Sequence, residues 1–185
     1  MGDFWVFGYG SLIWRPGFAH IETQRAQLFG FRRSLCVFSW VHRGTESRPG
    51  LVLGLDRGGS CIGLAFRVPA ALSEEVTAYL RERELVTNVY LERTLPVRLK
   101  SGTTVDALCF VVDRDHPQYA GALSAEHAAS VVRGAVGRSG GNEDYVRTTV
   151  EHLRALRIRD PWLESVAALV DDGLRGAEPP VRPAL

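Results

Sequence analysis

Residues 51–68 read Leu-Val-Leu-Gly-Leu-Asp-Arg-Gly-Gly-Ser-Cys-Ile-Gly-Leu-Ala-Phe-Arg-Val. Two apolar runs, Leu51 to Leu55 and Cys61 to Val68, flank Asp56-Arg57-Gly58-Gly59-Ser60, and that pattern predicts a hairpin turning on glycine. Downstream, Tyr90 to Leu99 and Thr103 to Val112 flank Lys100-Ser101-Gly102, which predicts a second hairpin. Upstream, Ala26 to Trp40 is strand-like with Gly30 as a bend or bulge, and Phe4 to Phe7 is a buried strand running into Gly8-Tyr9-Gly10-Ser11. One helix interrupts the strands: Ser73 precedes Glu74-Glu75 as a cap, and the segment runs to about Leu85.

Beyond Val112 the period changes. Ser124 to Val136, Asn142 to Ile158 and Asp160 to Leu174 carry apolar residues at helical spacing, with Ser124, Asn142 and Asp160 as caps and Pro161 at a first helical position. Strands gathered early and helices late predict an α+β fold with a mainly antiparallel sheet or small barrel, and the lack of β–α alternation excludes a doubly wound sheet. The 185 residues suit one domain, over 1–175, followed by a loose proline-bearing tail, 176–185. A net charge of +1 creates no field toward nucleic acid or anionic lipid, which leaves a small molecule as the expected partner. The apolar N-terminal run is too short to span a membrane and has no basic leader. Cys36, Cys61 and Cys109 are odd in number, lie in apolar runs and form no C-x-x-C pair, so they read as buried thiols in a reducing, cytoplasmic compartment. The five histidines are scattered, giving no metal-ligand spacing, and no nucleophile elbow surrounds Ser11.

Two features carry chemistry. The turn Gly8-Tyr9-Gly10-Ser11-Leu12 lets backbone approach a ligand and aim successive N–H groups at an anion, although two glycines would also simply end a strand in a tight turn. The helix row Leu72, Val76, Leu80, Glu84 advances about 40° per step, placing Glu84 on the apolar side, whereas Glu82 lies about 200° from Leu80 among solvent. A carboxylate there, desolvated and near the negative end of the helix dipole, has a raised pKa and suits a proton shuttle; the same position equally suits an ion pair with a framework arginine.

The segment Val6-Phe7-Gly8-Tyr9-Gly10-Ser11-Leu12-Ile13-Trp14 resembles the opening signature of the ChaC-like γ-glutamylcyclotransferases. Further segments follow in the same order: His42-Arg43-Gly44 with Arg48-Pro49-Gly50, Gly63-Leu64-Ala65-Phe66-Arg67-Val68-Pro69, Arg83-Glu84 followed by Tyr90, His116-Pro117-Gln118-Tyr119, and Gly140-Gly141-Asn142-Glu143-Asp144-Tyr145. The similarity covers about residues 4–170. One departure stands out: many eukaryotic relatives have a Lys-Gly-Gly stretch after the Arg-Glu pair, where this chain has Leu85-Val86-Thr87-Asn88.

The resemblance implies a γ-glutamylcyclotransferase-like fold, cleavage of glutathione to 5-oxoproline and cysteinylglycine, and no cofactor. It implies Glu84 as proton shuttle. Phe7, Gly8, Tyr9, Gly10, Ser11 and Leu12 would form the substrate-binding turn, whose amides take either the glutamyl carboxylate or the oxyanion. Arg43 and Tyr145 would be further substrate contacts. Two other readings stay open: turnover of other γ-glutamyl amines or amino acids by the same lactam chemistry, and a non-catalytic γ-glutamyl-binding module.

Overall fold

The computed structural model describes residues 2–175. Five strands close a barrel: β1 (Phe4–Gly8), β2 (Glu22–Ser39), β3 (Gly50–Val68), β4 (Tyr90–Leu99) and β5 (Thr104–Val112). The order is β1-β3-β2-β4-β5, and β5 returns to β1 in parallel, pairing Ala107 with Trp5. The remaining pairs are antiparallel apart from a single parallel β3–β5 match of Leu55 with Val111.

The predicted hairpin at 56–60 does not form. Leu51 to Leu55 and Cys61 to Val68 belong to one strand of 19 residues, and both halves pair with β2, from Gly50 opposite Ser39 to Arg67 opposite Glu22. Asp56 is no turn residue: it is fully buried, and its carboxylate accepts from Arg32 at 2.6 Å, Arg114 at 2.7 Å and the Tyr119 hydroxyl at 3.2 Å. The glycines serve a bend instead. Gly58 and Gly59 have positive φ opposite the irregularity at Gly30 (φ 82°), where the register shifts between Phe29 and Phe31. Both strands of the ribbon bend there together, as a sheet must in order to curl into a small barrel. The second hairpin forms as expected, with Gly102 at φ 92°.

Four helices flank the barrel: α1 (Ser73–Glu84), α2 (Ala125–Val132), α3 (Asn142–Ala155) and α4 (Pro161–Arg175). Ser73 opens α1 without capping it. Val76 and Leu80 bury that helix against Val6, Leu12, Phe66 and Phe110. The Ser124 side chain accepts from the His127 N–H, and Asp160 Oδ1 accepts from the Leu163 N–H at 3.1 Å, so both cap as expected. Helix α2 stops before Val136, because the chain turns at Gly134 (φ 66°) into a two-residue ladder, β6 (Val136–Gly137) with β7 (Gly140–Gly141). Asn142 is no cap: it is fully buried, with Oδ1 accepting from Leu51 N–H and Nδ2 donating to Leu51 C=O, each at 2.7 Å. One apolar cluster runs from the barrel (Phe7, Leu28, Leu53) into the helices (Val132, Val146, Leu163). The three thiols are buried in it or beside it. The expected tail, 176–185, lies outside the described residues. Among the described residues no helix is long and apolar enough to cross a membrane.

Candidate active site

A cleft of about 300 Å³ opens where the glycine turn, the C-terminal end of α1, the end of β2 with its following loop, and the first turn of α3 meet. Tyr9, Gly10, Ser11, Leu12, Arg43, Glu84 and Tyr145, far apart in sequence, all border it. Phe7 and Gly8 do not: Phe7 is fully buried in the barrel core, and Gly8 ends β1 beneath the turn. A Cβ on Gly8 would sit 3.0 Å from the Phe66 ring and 3.1 Å from Leu12 Cβ, so this glycine serves close packing of turn on strand rather than ligand contact. Trp14 and Trp40 both line the cleft, as does Arg15. Trp14 is stacked on His152 of α3 with ring centroids 4.8 Å apart.

The turn tightens into a single helical turn at Ser11–Ile13. Its closing bonds are donated by Ile13 N–H to Gly10 C=O, at 2.9 Å, and by Trp14 and Arg15 to Ser11 C=O. The N–H groups of Gly10, Ser11 and Leu12 take no part in them.

Glu84 is the last residue of α1, and its side chain is 18% exposed while Glu82 faces solvent. Burial raises the Glu84 pKa above the ordinary carboxylate value, and the Arg83 charge opposes that rise. The ion pair expected for Glu84 is formed with Arg83, Nε to Oε1 at 3.2 Å, and the same acid borders the cleft. Arg83 ties more than this together: its guanidinium donates to Ser11 Oγ (2.9 Å), to the carbonyls of Arg15 (2.6 Å) and Pro16 (3.2 Å), and to the Tyr79 hydroxyl (3.0 Å). One side chain therefore sets the acid and the glycine turn at a fixed separation. Its adjacency to Glu84 is the only sequence signal of that role.

Two phenols complete the inner wall. Tyr145 OH accepts the Leu53 N–H at 3.2 Å, which leaves its own proton for the cleft; Tyr90 OH donates to Leu53 C=O at 2.7 Å, which leaves its oxygen as an acceptor. Burial pushes Tyr145 up to about 12 and raises Tyr9 and Tyr90 well above the ordinary phenol value, with the negative charge of Glu84 adding to all three. Tyr90, at the start of β4, stood in the sequence only as the residue that follows Arg83-Glu84 in the family-like segment, and barrel closure is what brings its hydroxyl to Leu53. Arg43 lies over the Tyr145 ring at 5.1 Å, with Nη1 donating to the carbonyls of Ser139 (2.5 Å) and Gly141 (3.3 Å). Burial lowers its pKa, and Arg15 adds to the lowering, so the cleft carries two neighbouring cations. Arg43 has no carboxylate within 4 Å among the described residues. Among the described residues no group of three or more histidine, cysteine, aspartate or glutamate side chains is placed to hold a metal ion.

Residues 4–173 match the family model of the ChaC-like proteins. The glutathione-specific γ-glutamylcyclotransferase of Escherichia coli (strain K12) is 34% identical over 169 residues, spanning 91% of this chain and 73% of the relative. Glutathione-specific γ-glutamylcyclotransferase 1 of Danio rerio is 34% identical over 170 residues, 89% of this chain and 87% of that one. A crystal structure of a γ-glutamyl cyclotransferase specific to glutathione from yeast superposes with a TM-score of 0.84 at 23% identity, covering 93% of this chain and 97% of that one, and so shares the fold. With the family model spanning the barrel and the helices alike, the chain belongs to the ChaC-like proteins.

Proposed function

We propose that this chain is a glutathione-specific γ-glutamylcyclotransferase, with residues 1–175 as its single catalytic unit, acting in the cytoplasm. The substrate's own α-amine attacks its γ-carbonyl carbon, a five-membered lactam closes through a tetrahedral oxyanion, and the bond to the cysteinyl nitrogen breaks. Products are 5-oxoproline and cysteinylglycine, with no water consumed and no electrons transferred. Nucleophile and electrophile sit on one molecule, so the protein has to fold the glutamyl arm and pass protons from the attacking nitrogen to the departing one.

Glu84 is the group suited to that task. It removes a proton from the α-ammonium, which cannot attack while protonated, and delivers it to the departing cysteinyl nitrogen; the second proton that the attacking nitrogen sheds as the lactam forms passes to solvent, and the released cysteinylglycine amine takes one up in its place. The single observation that carries the reading is this buried acid, its pKa raised by desolvation, in one cleft with the glycine turn. A base poised above the usual carboxylate value both accepts the proton and gives it back. Tyr145 donates its free hydroxyl proton to the substrate, and Arg43 takes a carboxylate. The pair of cations Arg43 and Arg15 suits a substrate with two carboxylates, as glutathione has, better than a γ-glutamyl amine, which carries only the glutamyl α-carboxylate.

Incubating the purified protein with glutathione, with γ-glutamyl amino acids and with a γ-glutamyl amine, and assaying 5-oxoproline, tests the reading. Turnover of glutathione in preference to the others is expected. Preferential turnover of a γ-glutamyl amine overturns the substrate assignment, and ligand-dependent thermal stabilisation without any product overturns the enzyme.

A further inference from the structure

Beneath the cleft lies a buried cation that the reaction above does not use. Arg33, on β2, has a side chain only 4% exposed. Its Nε donates to the backbone carbonyl of Tyr9 at 2.6 Å, its Nη2 to the carbonyl of Ile62 on β3 at 2.6 Å, and its Nη1 lies 3.3 Å from Asp160 Oδ2 at the start of α4. Taking a guanidinium out of water costs several kcal/mol, and a hydrophobic side chain would fill such a site at no such cost. The bond to Tyr9, one of its two shortest, indicates what the cation is for.

A trans peptide is planar, so the C=O of one residue and the N–H of the next point in opposite directions. Arg33 pulls the Tyr9 carbonyl toward the core. The Gly10 N–H on the other side of that peptide then points away from the core, to the cleft that Tyr9, Gly10 and Ser11 border. That N–H takes no part in closing the turn, and the Gly10 α-carbon stands near Tyr145 OH, since a Cβ built there would lie 3.9 Å from that hydroxyl. The backing is rigid: a Cβ at Gly63, next to Ile62, would collide with the Gly8 carbonyl and lie 2.9 Å from the Phe7 ring. A cation on the carbonyl also polarises the peptide and makes its N–H a stronger donor. The charge of Arg33 is felt in the cleft, where it acts to lower the pKa of Tyr145.

We infer that Arg33 is a positioning residue: through the Tyr9–Gly10 peptide it aims the Gly10 N–H at the oxyanion of the tetrahedral intermediate. The inference rests on the cyclotransferase reading above. An oxyanion donor acts on a charge that exists only along the reaction path, so weakening its aim lowers kcat and spares KM. Binding of the ground-state glutamyl carboxylate by the same N–H would raise KM instead.

The test compares wild type with Arg33→Lys, Arg33→Gln and Asp160→Asn, assaying 5-oxoproline from glutathione and checking each fold by circular dichroism. Arg33→Gln is expected to lose on the order of 10²-fold in kcat with KM nearly unchanged, as for one misplaced oxyanion donor. Arg33→Lys, which keeps charge and a donor, recovers part of that loss. Asp160→Asn leaves the Tyr9 bond in place and keeps kcat. A folded Arg33→Gln with normal kcat, a loss confined to KM, or an equal loss of kcat in Asp160→Asn overturns the role. Should the Arg33 variants not fold, amide exchange in the free wild-type protein decides: fast exchange at Gly10 supports a cleft-facing N–H, and protection comparable to the core overturns it. Wild type that yields no 5-oxoproline removes the cyclotransferase reading and this role with it, whereas active wild type beside an unimpaired Arg33→Gln removes the role alone.

Discussion

At Glu84 the burial on which the proposed proton shuttle relies works against the fold. Its folded-state pKa is raised, so the folded chain binds more protons than the unfolded one, and stability falls as pH climbs from the unfolded carboxylate value through the folded one. Glu84→Gln removes the charge and keeps the shape. It is expected to cost 10²–10⁴ in kcat for glutathione while melting no lower than wild type at neutral pH, measured by steady-state kinetics and thermal denaturation side by side. Glu82→Gln, on the solvated face, is expected to change neither. In the proposed mechanism the ionised acid is the active form, so kcat/KM should rise with pH along a limb lying above the ordinary carboxylate value. Arg83 holds that limb down, so Arg83→Met should move it to higher pH, read from the kcat/KM profile, besides lowering the rate by freeing Ser11. The 3.6-residue period sufficed to separate the two glutamates, since the phase of a helix relative to its apolar row is a local property.

At the level of elements, α3 is fastened to β3 through backbone rather than by packing alone. Asn142 satisfies both polar groups of Leu51, and one turn later Tyr145 accepts the N–H of Leu53. The helix can therefore seat in one register only, and that register puts the Tyr145 hydroxyl in the cleft. Replacing Asn142 by Leu would leave a buried N–H and a buried C=O unpaired, at about 1–3 kcal/mol each, and chemical denaturation should show a loss of that order. Activity should fall as well, because Tyr145 loses its seat. Gly50 belongs to the same joint: a Cβ there would run into the Arg43 carbonyl and lie 2.7 Å from Asn142 Oδ1. The sequence pattern marked Asn142 as a cap because asparagine before a helical run usually is one. Its true partner lies 91 residues away, which no local rule can register.

On the scale of the whole molecule, the barrel shares one apolar cluster with α2, α3 and α4 and a second with α1, so they are expected to unfold together. Tryptophan fluorescence and far-ultraviolet circular dichroism should give coincident denaturation curves. Cys36 and Cys109 are pushed up to about 12 by burial, and Cys61 is raised by the same cause. All three should resist a thiol reagent in the native state and react at the rate of global opening, which makes labelling an independent reading of that transition.

Strand and helix content, the late helical third, the buried face bearing Glu84 and the turn at Tyr9–Leu12 were all legible in the sequence by itself, because each depends on residues a few positions apart. Tertiary structure alone decided that 51–68 is one bent strand, that Phe7 and Gly8 belong to the core, and that Arg33, Arg83 and Tyr90 brace the cleft. Asp56 shows the physical reason. A carboxylate amid glycines reads as a turn until Arg32 of β2 and Arg114, just beyond β5, neutralise it, and such long-range pairing becomes available only once the barrel has closed.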